Sequence, residues 1–216
     1  MYEDERWNKT LYPLMMRKKY HVGFFGKYHH LDPPLHIPAF SEIRTAPYSH
    51  FFKRSGVEKH VTQWNEDDST DFLKKRPKDE PFFLTVSFFA THAEDGSREQ
   101  YRPMNSSMSW YLDEPVPVPK THTDAHWRAL PYFFNERNVG RARFRGRYDT
   151  PEVYQHMMKN TYRMATEVDA ACGRIMKLIE EQGALDKTLI IFTTDNGNLH
   201  GQHGLSEKWI SYEESL

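Results

Sequence analysis

The chain has 216 residues and a formal net charge of −1 at pH 7, so its overall charge favours neither nucleic acid nor an anionic membrane as a partner. Its length suits one domain with a sizeable core. No apolar run approaches the roughly 20 residues that cross a bilayer, no signal peptide opens the chain, and the single cysteine excludes an internal disulfide framework.

A helix followed by a strand is predicted near the amino terminus. The segment TLYPLMMRKKY, residues 10–20, is typical of a helix, and the apolar residues 22–25 after it predict a strand. A glycine ends this strand, and Lys27 and His29 follow it. The strand therefore delivers polar side chains at its carboxyl end.

A second strand with the same property is predicted at residues 82–89, in PFFLTVSFFATH, which ends at His92. Open α/β sheets bind ligands outside the carboxyl ends of their strands, so both segments are candidates for one site. The pair Asp67-Asp68 lies between them and follows the polar residues WNE. We interpret that pair as a solvated loop.

A long irregular insert is predicted from about residue 93 to 150, where proline, arginine and aromatic residues are frequent and periodicity is weak. A loop of this length is usually functional or disordered, and we place it on the substrate side. Its arginines could hold an anionic glycan through bidentate contacts, but a charge run in a loop is more often solvated, and we favour that interpretation. They are Arg137, Arg141, Arg143, Arg145 and Arg147.

A strong amphipathic helix is predicted for Pro151–Glu181, with the proline in its first turn and Gly183 beyond its end. The helix should turn through residues 184–187 into a further strand, which is the α-to-β step of a parallel sheet. Cys172 is expected to be a small buried hydrophobic residue on the core-facing stripe. That stripe comprises Tyr154, Met158, Tyr162, Ala165, Val168, Cys172, Ile175 and Ile179.

The apolar run LIIF, residues 189–192, predicts a strand buried on both faces of a parallel sheet. Asp195, Asn196 and Gly197 follow it as turn formers. The first two offer oxygen ligands of the kind that calcium prefers. The sequence therefore predicts an α/β fold with a mostly parallel central sheet flanked by helices.

Four short motifs follow one another at the end of the chain: Asp195-Asn196-Gly197, Gly201-Gln202-His203-Gly204, Lys208 and Tyr212-Glu213-Glu214-Ser215. This order closely resembles the sulfatases of the alkaline-phosphatase-like superfamily, which carry D-N-G or D-H-G, then G-x-H-G, then a lysine shortly before Y-E-E-S. A lone D-N-G would be an ordinary turn, but the ordered set is specific. The resemblance covers nearly the whole chain.

Two earlier segments carry the same resemblance. The residues around Lys27 and His29 are similar to the sulfatase G-K-W-H motif, with Tyr28 in place of tryptophan. The segment ending at His92 is similar to F-F-L-x-V-S-F-x-x-P-H, with Thr91 where proline is usual. The resemblance implies an alkaline-phosphatase-like fold, a sulfated small molecule or glycan as substrate, and calcium as cofactor. It implies these roles: Lys27 and His29 are catalytic, His92 and Lys208 bind the substrate, and Asp195 and Asn196 are metal ligands.

One expected motif does not occur. The sulfatase nucleophile is a formylglycine made within Cys/Ser-x-Pro-x-Arg, and this chain contains no such motif. We therefore interpret residues 1–216 as an amino-terminally incomplete sulfatase domain whose calcium site is incomplete and whose activity alone is doubtful. Family enzymes work in the periplasm, outside the cell or in lysosomes, and the sequence itself leaves the location open.

Two other functions stay open. A phosphoesterase or phosphotransferase of the same superfamily would share the sheet, but it would normally show more histidine and aspartate ligands, so Asn196 and Lys208 favour sulfate. A non-catalytic anion-binding remnant would keep the lysines without turnover. His200 and His203 could form a transition-metal site, although hydrogen bonding within the loop is favoured because no third ligand is evident nearby.

Overall fold

The computed structural model describes residues 4–28 and 37–216. They divide into two compact units. The first contains the described residues up to Ser107 together with Met164–Thr188, and the second contains Met108–Arg163 and Leu189–Leu216. No helix within the described ranges is long and apolar enough to span a bilayer.

Helices and strands alternate irregularly along the chain. Up to residue 107 they are α1 (Asp4–Trp7), α2 (Leu11–Arg17), β1 (His21–Gly26), β2 (Glu42–Thr45), β3 (Phe51–Arg54), β4 (Val57–His60), α3 (Val61–Lys75) and β5 (Phe82–Ser87). After it they are α4 (Asp124–Arg128), α5 (Val139–Arg147), α6 (Pro151–Glu181), β6 (Leu199–His200) and β7 (Ser206–Glu207). Short 3-10 turns lie at Ile37–Ala39, Asn105–Ser107, Leu185–Lys187, Gln202–Gly204 and Glu213–Ser215.

The first unit is built on a parallel sheet of three strands in the order β2-β1-β5. Strand β1 is in the middle, and its partners run from His21 opposite Phe82 to Gly26 opposite Ser87. Its buried side chains pack against α3 and α6, with Phe25 and Phe72 fully buried in one cluster. The predicted α/β fold with a parallel sheet and flanking helices is confirmed, as are α2 and both strands that precede the predicted site residues.

Helix α6 has the predicted bounds, but the predicted stripe is wrong in its middle turns. Tyr154, Ile175 and Ile179 are buried as expected, whereas Tyr162 is 39% exposed. Between the two ends Met158 is buried as predicted, but so are Thr161, Met164, Glu167 and Ala171, which lie off the predicted stripe. The stripe is displaced because these turns bury polar side chains that have hydrogen-bond partners, and an apolar period alone does not detect such positions.

The strand predicted at residues 189–192 is not observed. These residues form no described strand, and Leu189 and Phe192 are each 85% exposed. A parallel strand is stable only when neighbouring strands satisfy its backbone, and this run pairs with none of the described strands. The apolar composition of residues 189–192 predicted burial, but the described part of the chain contains no strand that pairs with them.

The interpretation of Asp67-Asp68 as a solvated loop is also wrong, because both residues lie within α3. Asp68 is buried and its two oxygens accept hydrogen bonds from Arg54 Nη1 at 2.7 Å. Asp67 pairs with Lys59 at 2.6 Å. The helical period places Asp68 one turn before Phe72 on the inner face, where an ion pair satisfies its charge.

The predicted irregular insert contains helices α4 and α5, and its arginines are not all solvated. Arg141 and Arg147 are each only 1% exposed. Arg141 Nη1 donates to the carbonyl oxygen of Gly204 at 3.0 Å, and Arg147 pairs with Glu207. These two arginines therefore stabilise the second unit, and the solvated interpretation is wrong for them.

Candidate functional site

The carboxyl ends of β1 and β5 meet at Gly26. This residue has φ +116°, and a Cβ atom there would lie 2.0 Å from the carbonyl oxygen of Ser87. Only glycine fits this close approach without strain. The next residue, Lys27, donates its backbone N–H to the same Ser87 oxygen at 2.7 Å. The glycine therefore fixes the point at which Lys27 leaves the sheet.

Lys27 and His92 lie around the buried ring of Phe89. The Lys27 ammonium is 6.0 Å from the centroid of Phe89 and 5.6 Å from that of Tyr48. The His92 ring stacks on Phe89 with centroids 5.3 Å apart, and its Nδ1 donates to the Ala93 carbonyl oxygen at 2.7 Å. The structure therefore brings two predicted site residues together. His29 lies outside the described residues.

In the second unit, the loop of Asp195, Asn196 and Gly197 packs against the final turn of the chain. A Cβ atom on Gly197 would lie 2.2 Å from the carbonyl oxygen of Glu214, so the two backbones are in close contact. The Asn196 amide nitrogen donates to the Gly197 carbonyl oxygen at 2.7 Å. The Asp195 side chain is exposed. The first and the last of the four carboxyl-terminal motifs therefore pack against each other.

The turn Gln202–Gly204 is held by residues of the insert. Gly201 and Gly204 both have positive φ, and a Cβ atom on Gly204 would lie 2.6 Å from Arg141 Nη1. The His203 ring stacks on Tyr212 with centroids 4.1 Å apart. His200 Nδ1 accepts from the Tyr148 hydroxyl at 3.0 Å. The expected hydrogen bonding is therefore found for the His200 side chain, whereas the described contact of the His203 ring is stacking.

Burial and the nearby Arg147 together lower the pKa of His200 to about 4, so its ring is neutral at pH 7. Glu207 behaves differently. Its burial would raise the pKa of the carboxyl group, but Arg147 and Arg143 outweigh burial and hold that pKa below its ordinary value. Glu207 is therefore a buried carboxylate between two guanidinium groups.

Lys208 follows Glu207 directly and is half-buried. Because Arg143 and Arg147 take up the neighbouring carboxylate, Glu207 does not neutralise this lysine. Within residues 4–28 and 37–216 no ion pair to Lys208 is found. Its ammonium group is therefore available to an anion.

The fit to calcium is partial. Carboxylate and amide oxygens of Asp195 and Asn196 are the hard donors that calcium prefers, but calcium takes about six to eight of them. The described residues contain no cluster of three or more His, Cys, Asp or Glu side chains that could hold a metal ion. The donor chemistry of these two side chains fits calcium, but two donors are fewer than the ion takes.

The predicted site residues are distributed over the two units. Lys27 and His92 belong to the first unit, and Asp195, Asn196 and Lys208 belong to the second. Two structural neighbours of these residues were not predicted from the sequence. They are His50, which contacts the His92 carbonyl oxygen, and the buried Glu207, which precedes Lys208 in the chain. No apolar period marks either residue. The only available signal for Glu207 was its position next to a motif lysine.

Comparisons with known proteins agree with the fold. The family model described as Sulfatase matches residues 3–216. An arylsulfatase from Clostridium perfringens is 29% identical over 164 residues, which cover 72% of this chain and 30% of that protein. A solved protein structure in complex with its substrate, D-glucosamine-2-N,6-O-disulfate, matches this chain with a TM-score of 0.70 at 19% identity. The match covers 96% of this chain and 54% of the solved chain.

A phosphonate monoester hydrolase from Silicibacter pomeroyi has a TM-score of 0.69 at 19% identity, covering 96% of this chain and 51% of that one. The present chain thus spans about half of each solved chain and about a third of the arylsulfatase. At this identity the two structural matches describe the fold. The family match over residues 3–216 shows more: this chain belongs to the sulfatase family.

Proposed function

We propose that this chain forms part of the catalytic domain of a sulfuric ester hydrolase. The observation that carries the proposal is the family match over residues 3–216, which includes the ordered motifs from Asp195 to Ser215. The proposal is supported by the placement of Lys27 and His92 around the same Phe89 ring, and by a Lys208 that has no ion pair with the residues that the structure describes.

The lysines would act through charge. As the bond from sulfur to the leaving alcohol breaks, negative charge builds on the ester oxygens, and cations placed around them stabilise the transition state. Lys27 and Lys208 would bind and orient the sulfate group in this way. Packing against Phe89 and Tyr48 restrains the Lys27 side chain, so less conformational entropy is lost when the anion binds.

The histidines would handle hydrogen bonds and protons. A histidine is suited to both tasks near neutral pH. Because the Nδ1–H of His92 donates to Ala93, Nε2 is the other ring nitrogen, and it would donate a hydrogen bond to a sulfate oxygen when the imidazole is protonated. We assign His29 a catalytic role, from its motif alone, as a proton carrier.

Calcium is the proposed cofactor, with Asp195 and Asn196 as two of its oxygen ligands. When bound, the metal would neutralise charge on the sulfate and lower the pKa of an oxygen nucleophile. The chain's own contribution is to present the two side chains on a fixed loop. The backbone contact between Gly197 and Glu214 supports that rigidity.

The proposed substrate is a sulfated small molecule or glycan. The sulfated sugar in one structural neighbour and the arylsulfatase among the relatives support this class. A second candidate, hydrolysis of a phosphoester or phosphonate, is favoured by the phosphonate monoester hydrolase among the neighbours. Asn196 and Lys208 favour sulfate over it, since phosphoesterases of this superfamily normally carry more histidine and aspartate ligands.

Anion binding by the chain tests the proposal. We expect inorganic sulfate to bind, and Lys208→Ala to weaken binding roughly tenfold through loss of a charge-assisted hydrogen bond. Lys75→Ala is the control, because Lys75 is 68% exposed and pairs with Asp71 within one helix. Equal loss in both variants would contradict a sulfate site at Lys208. Tighter binding of phosphate or methylphosphonate than of sulfate would favour the second candidate.

A further inference from the structure

Two buried histidines in the first unit take no part in the roles proposed above. His50 and His60 are fully buried, and their rings are parallel with centroids 5.9 Å apart. The His60 Nε2 donates to the carbonyl oxygen of Arg102 at 3.1 Å, which explains its burial as part of the local backbone network. His50 instead contacts the loop that carries His92.

Hydrogen bonds join residue 50 to His92 and to Glu94, which follows it in the same loop. The His50 Nε2 lies 2.9 Å from the carbonyl oxygen of His92. A carbonyl oxygen only accepts, so this nitrogen carries a hydrogen and donates it. The Glu94 carboxylate likewise accepts from the backbone N–H of His50 at 2.9 Å and from the Ser49 hydroxyl at 3.1 Å. The loop at 92–94 is therefore held from both ends by residues 49 and 50.

The same ring also supports the aromatic surface on which His92 lies. The His50 centroid is 5.2 Å from that of Phe89, and the His92 ring stacks on Phe89 as well. Removing the His50 ring would thus release the His92 backbone and leave a gap beside Phe89. Both changes would alter the orientation of the His92 imidazole.

We propose that His50 is a positioning residue for His92, fixed in turn by Glu94. The inference rests on the proposed function in one respect, the role of His92 at the sulfate, whereas the positioning itself can be measured without any ligand. A conservative replacement is available, because the amide nitrogen of glutamine can occupy the place of His50 Nε2 and donate the same hydrogen bond.

The charged and titratable groups around His50 must be considered in the test. They are Glu94, whose Oε2 is 3.3 Å from His50 Nδ1, Arg102, whose Nη1 is 3.6 Å from the same carboxylate, and the rings of His60 and His92. Burial lowers the pKa of His50 although Glu94 opposes the change, so the ring is neutral near pH 7. Replacement of His50 by a neutral residue consequently removes no charge near His92 at that pH.

The experiment follows the His92 imidazole by NMR in the full chain, recording its titration midpoint and the ring-current shift from Phe89. We expect His50→Leu to abolish the ring-current shift and displace the midpoint, and His50→Gln to restore both. Phe72→Leu is the control, because it removes a fully buried ring of the same unit and should leave both quantities unchanged. Signals of His92 that are identical in His50→Leu and in the original chain would overturn the proposal.

A second variant covers the case in which His50→Leu does not fold. Glu94→Ala keeps the His50 ring but removes the carboxylate that accepts from the His50 backbone N–H, and we expect the ring-current shift of His92 to change. The titration midpoint is not compared in this variant, because the substitution also removes a charge near His92. An unchanged ring-current shift there would also overturn the proposal. Addition of inorganic sulfate separates the two claims: His92 signals that depend on His50 but ignore sulfate would contradict only the substrate role of His92.

Discussion

Replacement of Gly26 by alanine should destabilise the first unit strongly. The new Cβ atom would lie 2.0 Å from the Ser87 carbonyl oxygen, at a residue with φ +116°. A side chain in that backbone region costs about 1–3 kcal/mol. To relieve the contact, β1 and β5 must separate at this end, and each backbone hydrogen bond lost there costs roughly 1 kcal/mol. We therefore expect the free energy of unfolding to fall by about 3 kcal/mol or more.

Gly56→Ala is a matched control for that prediction. Gly56 also has positive φ, at +83°, but no atom lies within 4 Å of the Cβ position. It should lose only the backbone penalty, on the order of 1–2 kcal/mol. Urea unfolding of the full chain measures both, provided that the slope m stays constant. Losses in the two variants that agree within about 0.5 kcal/mol would refute the reasoning from close contact.

The remaining predictions concern the second unit. Glu207→Gln should lower the free energy of unfolding by about 3–5 kcal/mol, because it leaves the buried Arg147 charge unpaired. Asp124→Asn is the control: its aspartate is 72% exposed, and it should lower that free energy by less than about 0.5 kcal/mol. Equal losses of stability in urea unfolding would contradict this. Because the pKa of Glu207 is lowered on folding, its stabilisation should be present above the pKa of the unfolded state and disappear as the pH falls through the folded pKa. Phe192→Lys should reduce aggregation measured by light scattering, since this side chain is 85% exposed in an apolar run. Calorimetric titration of the chain should find no tight calcium site, and submicromolar affinity would contradict this. The chain should not hydrolyse an aryl sulfate, and turnover that Lys208→Ala abolishes would contradict that expectation.

Much of the fold could be predicted from local patterns. Strand β1 and helix α6 have strong apolar periods, and both were found where the sequence placed them. Residues 189–192 show the limit of such patterns. Their composition is that of a buried strand, but burial requires a neighbouring strand, and no property of the run itself supplies one.

Candidate site residues could be named from motifs, but the residues that support them could not. Lys27 and His92 were both identified from motifs, and both lie on the Phe89 ring. His50 was missed, because its contact with the His92 carbonyl joins segments 42 residues apart without any periodic signal. Buried polar residues depend on partners that only the folded chain brings together.

The glycines of the carboxyl-terminal motifs explain why that order is so specific. Gly197 allows the backbone to approach Glu214, and Gly204 allows the guanidinium of Arg141 to reach a carbonyl oxygen. A side chain at either place would collide with these partners. The spacing of the motifs therefore reflects the packing of the backbone as well as the positions of the polar side chains. In this fixed backbone the Asp195 side chain is exposed, and Lys208 has no ion pair in the part of the chain that the structure describes. Both features fit the roles proposed above, a cation ligand at Asp195 and an anion contact at Lys208.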